Sequence, residues 1–148
     1  MLKHYPIVQL FKIAYFTGPS GKNQILRKDY SFGYSIRHRK PINSNDSRWY
    51  AHPGYAWAMD RNVFQQIGGL LEFCIVGSGD LHFAYALIGR IDETYPSNLH
   101  HDYHQLARQW GSRVAHIADG GNRVGYINTK LFHRWHGTRE NRSYVNRW

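Results

Sequence analysis

The sequence predicts a single α/β domain in which a mixed sheet is combined with about three helices. Its 148 residues are too few for two full catalytic domains. Hydrophobic residues make up 42% and charged residues 20%, and this is the composition of a folded globule rather than of a disordered chain. Segments with strand character lie towards both ends of the chain, and helical periodicity lies between them.

The first predicted element is a buried strand over residues 5–16, which are rich in β-branched and aromatic types and end at the turn cluster 17–21. Residues 22–47 show no sustained period, and the polar stretch 37–47 predicts a loop. Strand character returns over residues 49–58.

Two short helices are predicted next. Asp60 is a candidate N-cap for the first, which ends at Gly68-Gly69. Its apolar stripe consists of Val63, Phe64 and Ile67. The second helix begins after residues 77–79 and ends at Gly89, and it carries an apolar face. That face consists of Leu81, Ala84, Tyr85 and Ile88.

A third helix is predicted after residues 96–98, with Gly111 closing it. Its apolar positions are Leu99, Tyr103, Leu106 and Trp110. A final strand is predicted over residues 124–132, followed by a basic, aromatic tail over residues 137–148.

Charge and cysteine content restrict the function classes. The formal net charge of +9 favours anionic partners such as nucleic acid, phosphate, nucleotide or acidic lipid, and its concentration in residues 1–50 and 119–148 predicts that it frames a site. Cys74 is the only cysteine, which excludes an intrachain disulfide or a Cys-based zinc site and favours a reducing compartment. No stretch approaches the ~18 apolar residues of a membrane helix, and residues 1–6 lack a signal-peptide pattern. A cytoplasmic protein without a membrane span is expected.

Residues 77–80 (Gly-Ser-Gly-Asp) place a carboxylate at the start of a helix, behind two glycines that let a ligand approach closely. Two roles are open for Asp80: a general base, or a helix cap that meets the positive end of the dipole. On this motif alone the cap is the commoner role.

His133 and His136 lie near the end of the last predicted strand. Side chains three apart in an extended segment point to opposite faces, so one metal ion is expected to take only one of them. A structural or merely exposed pair is the alternative, since the chain has no Asp-x-Asp or Glu-x-Asp pair to add ligands. His100 and His104 are one helical turn apart but lack the glutamate of a His-Glu-x-x-His motif, which favours a solvated helix flank.

Several segments, taken in order, resemble the distal half of GT-A glycosyltransferases of the family 2 and galactosyltransferase type. They are His52-Pro53-Gly54-Tyr55-Ala56-Trp57-Ala58, Asp60-Arg61 with Phe64, Ile67-Gly68-Gly69-Leu70-Leu71, and Gly77-Ser78-Gly79-Asp80. The tail, with His133, His136-Gly137, Arg139, Arg142, Tyr144 and Arg147, is similar to the closing segment of the same enzymes. The resemblance covers roughly residues 6–148, and the order of the motifs is more specific than any one of them.

The resemblance implies the C-terminal, acceptor-side half of a GT-A domain spanning residues 1–148. It implies a hexosyltransferase that moves a sugar from a nucleotide-sugar donor, of UDP type, to a glycan or another hydroxyl acceptor, with Mn²⁺ or Mg²⁺ offsetting the leaving diphosphate. Asp80 matches the acceptor-activating base, and His136 the metal ligand with His133 as a substitute. The implied substrate-binding residues are His52, Gly54, Tyr55, Trp57, Gly79, His82, Arg139 and Arg142.

This interpretation requires Asp80 and His136 to face one pocket. The family's nucleotide-binding half, with its acidic metal motif, has no counterpart in the sequence. The resemblance therefore leaves two alternatives: the C-terminal part of a split or truncated enzyme, or a relic that has lost independent catalysis. A partner chain or self-association that completes the sheet is expected, and residues 1–148 alone are expected to bind nucleotide-sugar weakly or not at all. A non-catalytic module that binds glycans or nucleic acid through aromatic rings and positive charge is the alternative. The donor sugar, the acceptor and the oligomeric state are not readable from the sequence.

Overall fold

In the computed structural model, which describes residues 1–42, 50–74 and 77–137, strands from the two ends of the chain pair side by side. The described residues form two small sheets and four α-helices, which confirms the predicted α/β class. No helix in this part of the chain has the length and apolarity needed to span a membrane.

The first sheet has three strands in the order β5-β1-β6. These strands are β1 (Ile7–Gln9), β5 (Trp57–Met59) and β6 (Val124–Tyr126). Strand β1 pairs antiparallel with β5 and parallel with β6. Because β1 is the central strand, it is paired along both edges. All three of its residues are buried.

The second sheet has four strands in the order β4-β3-β2-β7. These strands are β2 (Ile13–Gly18), β3 (Gly21–Ser31), β4 (Ala51–His52) and β7 (Lys130–His133). Strands β2 and β3 form an antiparallel hairpin, and β7 adds to β2 in parallel. Both sheets are therefore mixed, as the sequence predicts.

The predicted continuous strands over 5–16 and 124–132 are each two strands, because the chain bends between the sheets. The two bends lie against each other and are joined by hydrogen bonds. Lys12 N–H donates to the Thr129 carbonyl at 2.9 Å, and Ile127 N–H donates to the Gln9 carbonyl at 2.9 Å. The hydroxyl of Thr129 donates to the Leu10 carbonyl at 2.9 Å. Since neither bend contains glycine or proline, the sequence carries no turn signal there.

The strand predicted over 49–58 is also divided: Pro53-Gly54-Tyr55 separates β4 from β5, and Tyr55 has a positive φ of 71°. Residue 49 lies outside the described part. The stretch 22–47, predicted without regular structure, contains most of β3 and all of helix α1 (Phe32–Arg37). Side chains at 22–26 are exposed on successive positions, so the first half of this strand shows no alternation in burial.

The first two predicted helices are confirmed. Helix α2 (Arg61–Gln66) begins after Asp60, whose carboxylate accepts from Asn62 N–H at 2.8 Å. It is followed by Gly68 and Gly69, both with positive φ. Helix α3 (Gly79–Ala86) begins after the Gly-Ser pair, and Gly89 follows it with a φ of 72°. Of the apolar stripe predicted for α2, Val63 and Ile67 are buried and Phe64 is exposed.

The third helix, α4 (His101–Ala118), runs through Gly111, so the predicted stop is wrong. A Cβ at Gly111 would lie 2.8 Å from the Cγ2 of Ile91, which shows that the glycine permits close packing. Leu106, in the predicted stripe, is 50% exposed. The buried positions of α4 are Ala107, Trp110, Gly111, Val114 and Ala118.

The main core joins the first sheet to α2, α3 and α4. Its completely buried side chains include Ile7, Ile67, Leu87, Val114 and Val124. Burying each such side chain stabilises the fold by roughly 1.5–3 kcal/mol. This packing fixes helix α3, whose first turn projects beyond the core towards the second sheet.

Candidate functional site

A cleft of about 760 Å³ lies between the second sheet and the first turn of α3. It is lined by Phe16, Thr17, Leu26, Arg27, Tyr50, His52, Pro53, Gly54, Tyr55, Asp80, His133, Arg134, Trp135, His136 and Gly137. Asp80 and His136 therefore face one pocket, as the interpretation of the sequence requires. His52, Gly54, Tyr55 and His133, also predicted as site residues, lie in the same cleft.

Asp80 stands in the first turn of α3, two residues after the N-cap position, and its carboxylate satisfies one of the free N–H groups of that turn. The N-cap is Ser78, which has a φ of 64° and makes no side-chain capping bond. One carboxylate oxygen of Asp80 accepts from Leu81 N–H at 2.9 Å, and the side chain is exposed to the cleft. The carboxylate is thus oriented by the backbone while remaining accessible to a ligand.

Gly54 leaves the space that the Asp80 carboxylate occupies. A Cβ at position 54 would lie 2.5 Å from Asp80 Oδ2 and 3.1 Å from His52 Cε1. Any larger residue must therefore displace one of these groups, because 2.5 Å is well inside van der Waals contact. Gly54, one of the implied substrate-binding residues, therefore leaves space for the carboxylate.

A buried glutamine that the sequence motifs do not indicate holds the segment carrying Gly54. The amide nitrogen of Gln9 donates to the carbonyls of His52 and Gly54, each at 3.0 Å. Its oxygen accepts from Gly33 N–H at 2.9 Å. Because Gln9 is completely buried and fully bonded, it fixes residues 52–54 against the first sheet.

Aromatic rings form one wall of the cleft. The imidazole of His52 stacks on Tyr55 with centroids 4.4 Å apart, and Tyr55 lies 5.2 Å from the ring of His133. Phe16 contacts the same group, and the guanidinium of Arg27 lies over its ring at 4.1 Å. The sequence patterns missed Phe16 and Arg27, since they meet only through the pairing of β2 with β3.

Burial and nearby charges raise the pKa of one phenol in the cleft, that of Tyr50. Arg27 forms an ion pair with the buried Asp29 at 2.7 Å. Partial burial raises the pKa of Tyr50, and the negative charges of Asp80 and Asp29 raise it further. Tyr50 lines the cleft, where its phenol O–H can donate a hydrogen bond.

His133 and His136 bring their Nε2 atoms within 3.2 Å of each other. The expectation that they point to opposite faces is wrong, because β7 ends at His133 and the following residues leave the strand. Two imidazoles bound to one ion by bonds of about 2.0–2.1 Å stand roughly 3.3 Å apart, so this pair suits a shared metal ion. Among the described residues, no third His, Cys, Asp or Glu ligand atom joins them within 4.8 Å.

Three predicted site residues do not line the cleft. Trp57 donates from its indole to the Pro53 carbonyl at 2.8 Å and packs on the core, and Gly79 faces Cys74. His82, predicted as a substrate-binding residue, does not reach the cleft, because this side chain is completely buried on the core side of α3. Its Nε2 lies 2.7 Å from the Tyr103 hydroxyl. Burial lowers the pKa of His82 to about 4, so it is neutral. Arg139 and Arg142 lie outside the described residues.

A second histidine group lies on the surface at the start of α4. Ligand atoms of His100, His101 and Asp102 are close enough to hold a metal ion, and all three side chains are exposed. His100 also caps the helix, accepting from Asp102 N–H at 3.3 Å. His104 turns away and packs against the ring of Tyr95. The solvated flank predicted for the histidines at 100, 101 and 104 is therefore seen at His100 and His101, whereas His104 is half-buried.

The cleft combines a carboxylate, an imidazole pair, a cationic side chain and aromatic walls in one concave surface. Such convergence of polar groups in a large pocket is typical of a ligand-binding or catalytic site. Comparison of the chain with protein-family models, with curated proteins and with solved structures gives no match.

Proposed function

We propose that this chain is the acceptor-side half of a GT-A glycosyltransferase, and that the cleft is where a sugar passes from a nucleotide donor to a hydroxyl group. The observation that supports this most directly is the meeting of Asp80 with His133 and His136 in one cleft. These residues come from distant segments, and the resemblance assigns them to the two ends of one reaction.

On the acceptor side, Asp80 is the general base. The bond from Leu81 N–H holds one oxygen, and the other lies beside Gly54. An acceptor hydroxyl in the cleft would give its proton to this carboxylate as its oxygen attacks the sugar carbon. Positioned proton transfer of this kind accelerates reactions by about 10²–10⁴-fold.

On the donor side, His133 and His136 are the residues that would hold a divalent ion. Imidazole nitrogens suit Mn²⁺ better than Mg²⁺, which prefers oxygen ligands. Such an ion supplies positive charge that offsets the leaving diphosphate. Two imidazoles are only part of a coordination shell, and the acidic motif of a nucleotide-binding half would be a source of further ligands.

The aromatic wall would orient the sugars. Tyr55 is 37% exposed in the cleft and offers apolar surface against which the C–H groups of a pyranose can pack. The Tyr50 phenol and the Arg27 guanidinium add hydrogen-bond donors for sugar hydroxyls or an anionic substituent.

The experiment that tests this function replaces Asp80 by Asn in the transfer-competent protein, which is this chain assembled with a nucleotide-binding half. Sugar transfer from UDP-sugars to hydroxyl acceptors should fall by about 10²–10⁴-fold, while donor binding is retained. The matched control is Asp60→Asn, which changes an exposed helix-capping carboxylate outside the cleft. Equal turnover in the wild type and in the Asp80 variant would remove the catalytic role.

A glycan-binding module without catalysis is the second candidate, and the aromatic wall favours it. Such a module would bind a neutral oligosaccharide in the cleft with little dependence on the Asp80 charge. It would also release no nucleotide from UDP-sugars. Glycan binding that survives Asp80→Asn, together with absent turnover when the wild-type chain is supplied with a nucleotide-binding half, would support the module over the enzyme.

A further inference from the structure

The outer face of the second sheet, opposite the cleft, carries two cross-strand rows of lysines and aromatic rings. One row places Lys28, Tyr15 and Phe132 side by side on β3, β2 and β7. The next row places Tyr30, Ile13 and Lys130 on the same strands. Successive strand residues alternate between faces, so these six positions share the side away from Phe16, Arg27 and His133.

On this face, the described part of the chain contributes positive charge and no carboxylate. Two more lysines join the rows: the ammonium of Lys22 lies 4.7 Å from the ring centre of Phe132, and that of Lys12 lies 5.3 Å from Tyr34. The acidic residue in these strands is Asp29, which lies on the opposite face and pairs with Arg27. None of the four lysines forms an ion pair with a residue that the structure describes. The face therefore presents four uncompensated ammonium groups.

The rings on this face are already stacked on one another. Tyr15 lies on Phe132 with centroids 5.4 Å apart, and Tyr34 is stacked between Tyr30 at 4.8 Å and His38 at 4.1 Å. Most of these ring faces already contact another ring or a lysine ammonium group, so few remain on which a nucleobase could stack. Of the apolar side chains in the two rows, Ile13 is buried and Phe132 is 39% exposed, so the rows lack a protruding apolar wedge for a membrane.

We propose that this lysine and aromatic face binds an anionic glycan. Its spaced ammonium groups complement carboxylates along a sugar chain, and the tyrosine hydroxyls and ring edges complement sugar hydroxyls and C–H groups. The inference stands apart from the chemistry of the cleft, because it uses none of the residues that line it. If the cleft transfers sugar, the two surfaces place a polymer-binding face behind an active site.

The test measures binding of fluorescently labelled polygalacturonate by anisotropy at low and high salt. Wild-type protein should bind it with a steep salt dependence, whereas any binding of neutral dextran should not depend on salt. The double variant Lys28→Gln/Lys130→Gln should bind at least about tenfold more weakly. Both side chains are exposed, so the fold should be retained.

A charge-matched control distinguishes the contribution of this face to binding from a general effect of net charge. Lys3→Gln/Arg61→Gln removes two exposed cations outside the second sheet and should change affinity by less than about threefold. Lys28→Arg/Lys130→Arg should likewise retain binding. Absent polygalacturonate binding, or equal losses in the two glutamine doubles, would overturn the proposal. Tighter binding of oligo(dT) or of phosphatidylglycerol vesicles through Lys28 and Lys130 would also overturn it, by assigning the face to nucleic acid or to membrane.

Discussion

Asp80 and His82 stand two positions apart on α3, yet one lines the cleft and the other is sealed in the core. A helix turns about 100° per residue, so these side chains point roughly 160° apart. Asp80 reaches ligand-accessible space, whereas His82 is 0% exposed and bonds to Tyr103. The comparison teaches that closeness to a motif along the chain does not place a side chain in the site, because helix phase decides which surface it reaches.

Two glycines make room for a neighbouring side chain. In the cleft Gly54 leaves space for the Asp80 carboxylate, and in the core Gly111 of α4 leaves space for the side chain of Ile91. In the first case the missing Cβ allows the carboxylate to keep its position, and in the second it allows the core to pack closely. Substitutions at these positions should therefore damage different properties of the protein.

Gly54→Ala should have the largest effect, and it should act on activity. The new methyl group would displace the Asp80 carboxylate, and a misplacement near 1 Å can cost about a hundredfold in rate. The rate of sugar transfer by the transfer-competent protein measures this loss of activity. The melting temperature of the variant should differ little from that of the wild type.

Gly79→Ala is the matched control for Gly54→Ala. A Cβ at position 79 would lie 3.8 Å from Cys74 Cβ, which is ordinary contact, so transfer should be retained. Comparable losses in the two variants would show that the space beside Asp80 is not the reason for the glycine at position 54.

His82 should make stability depend on pH. Its folded pKa of about 4 lies below the ordinary 6.5, so the unfolded chain takes up the proton first as the solution becomes acidic. The His82 contribution is fully present above about pH 6.5 and is lost as pH falls towards 4. Between pH 7 and pH 5 the free energy of unfolding should drop by about 2 kcal/mol from this group.

Urea unfolding of the wild type and of His82→Gln at pH 7 and pH 5 measures this contribution. The variant should lose most of that pH-dependent difference, even if its stability at pH 7 is lower. His116→Gln, which removes an exposed histidine of α4, should retain the difference. An unchanged pH dependence in His82→Gln would mean that His82 is not kept neutral by the fold.

Gly111→Ala should have the smallest effect, about 1 kcal/mol of destabilisation. Alanine favours a helix by nearly 1 kcal/mol over glycine, but the methyl group would meet Ile91 at 2.8 Å, and overpacking costs about 1–3 kcal/mol. Ser112→Ala, at an exposed neighbouring position, should be neutral or slightly stabilising. A stabilised Gly111→Ala would indicate that Ile91 moves aside at little cost.

Signals that act within a few residues were predictable from the sequence. The Asp60 cap and the Gly68-Gly69 stop are confirmed because a carboxylate beside free N–H groups, and glycine at positive φ, act locally. Gly111 is also a helix-stop signal in the sequence, but the helix continues through it, because the glycine serves close packing against Ile91. The strand bends escaped prediction because they are set by pairing between the two ends of the chain.

The candidate site was predictable only in part for the same reason. Asp80, His133 and His136 were identifiable from ordered motifs, and the structure brings them together. Gln9 and Arg27 carry no motif, since their roles arise from a buried hydrogen-bond network and from strand register. The approach of the two imidazoles depends on where β7 ends, which alternation alone does not define.

The parallel pairings of β1 with β6 and of β2 with β7 have a consequence for how the protein is made. During translation, β1 and β2 emerge long before the strands that complete their edges. The nascent chain must therefore carry two open strand edges until its last described strand leaves the ribosome, and contacts of such large sequence separation form slowly. Release of ribosomes before that point would yield a product prone to aggregate, with the histidine side of the cleft never synthesised.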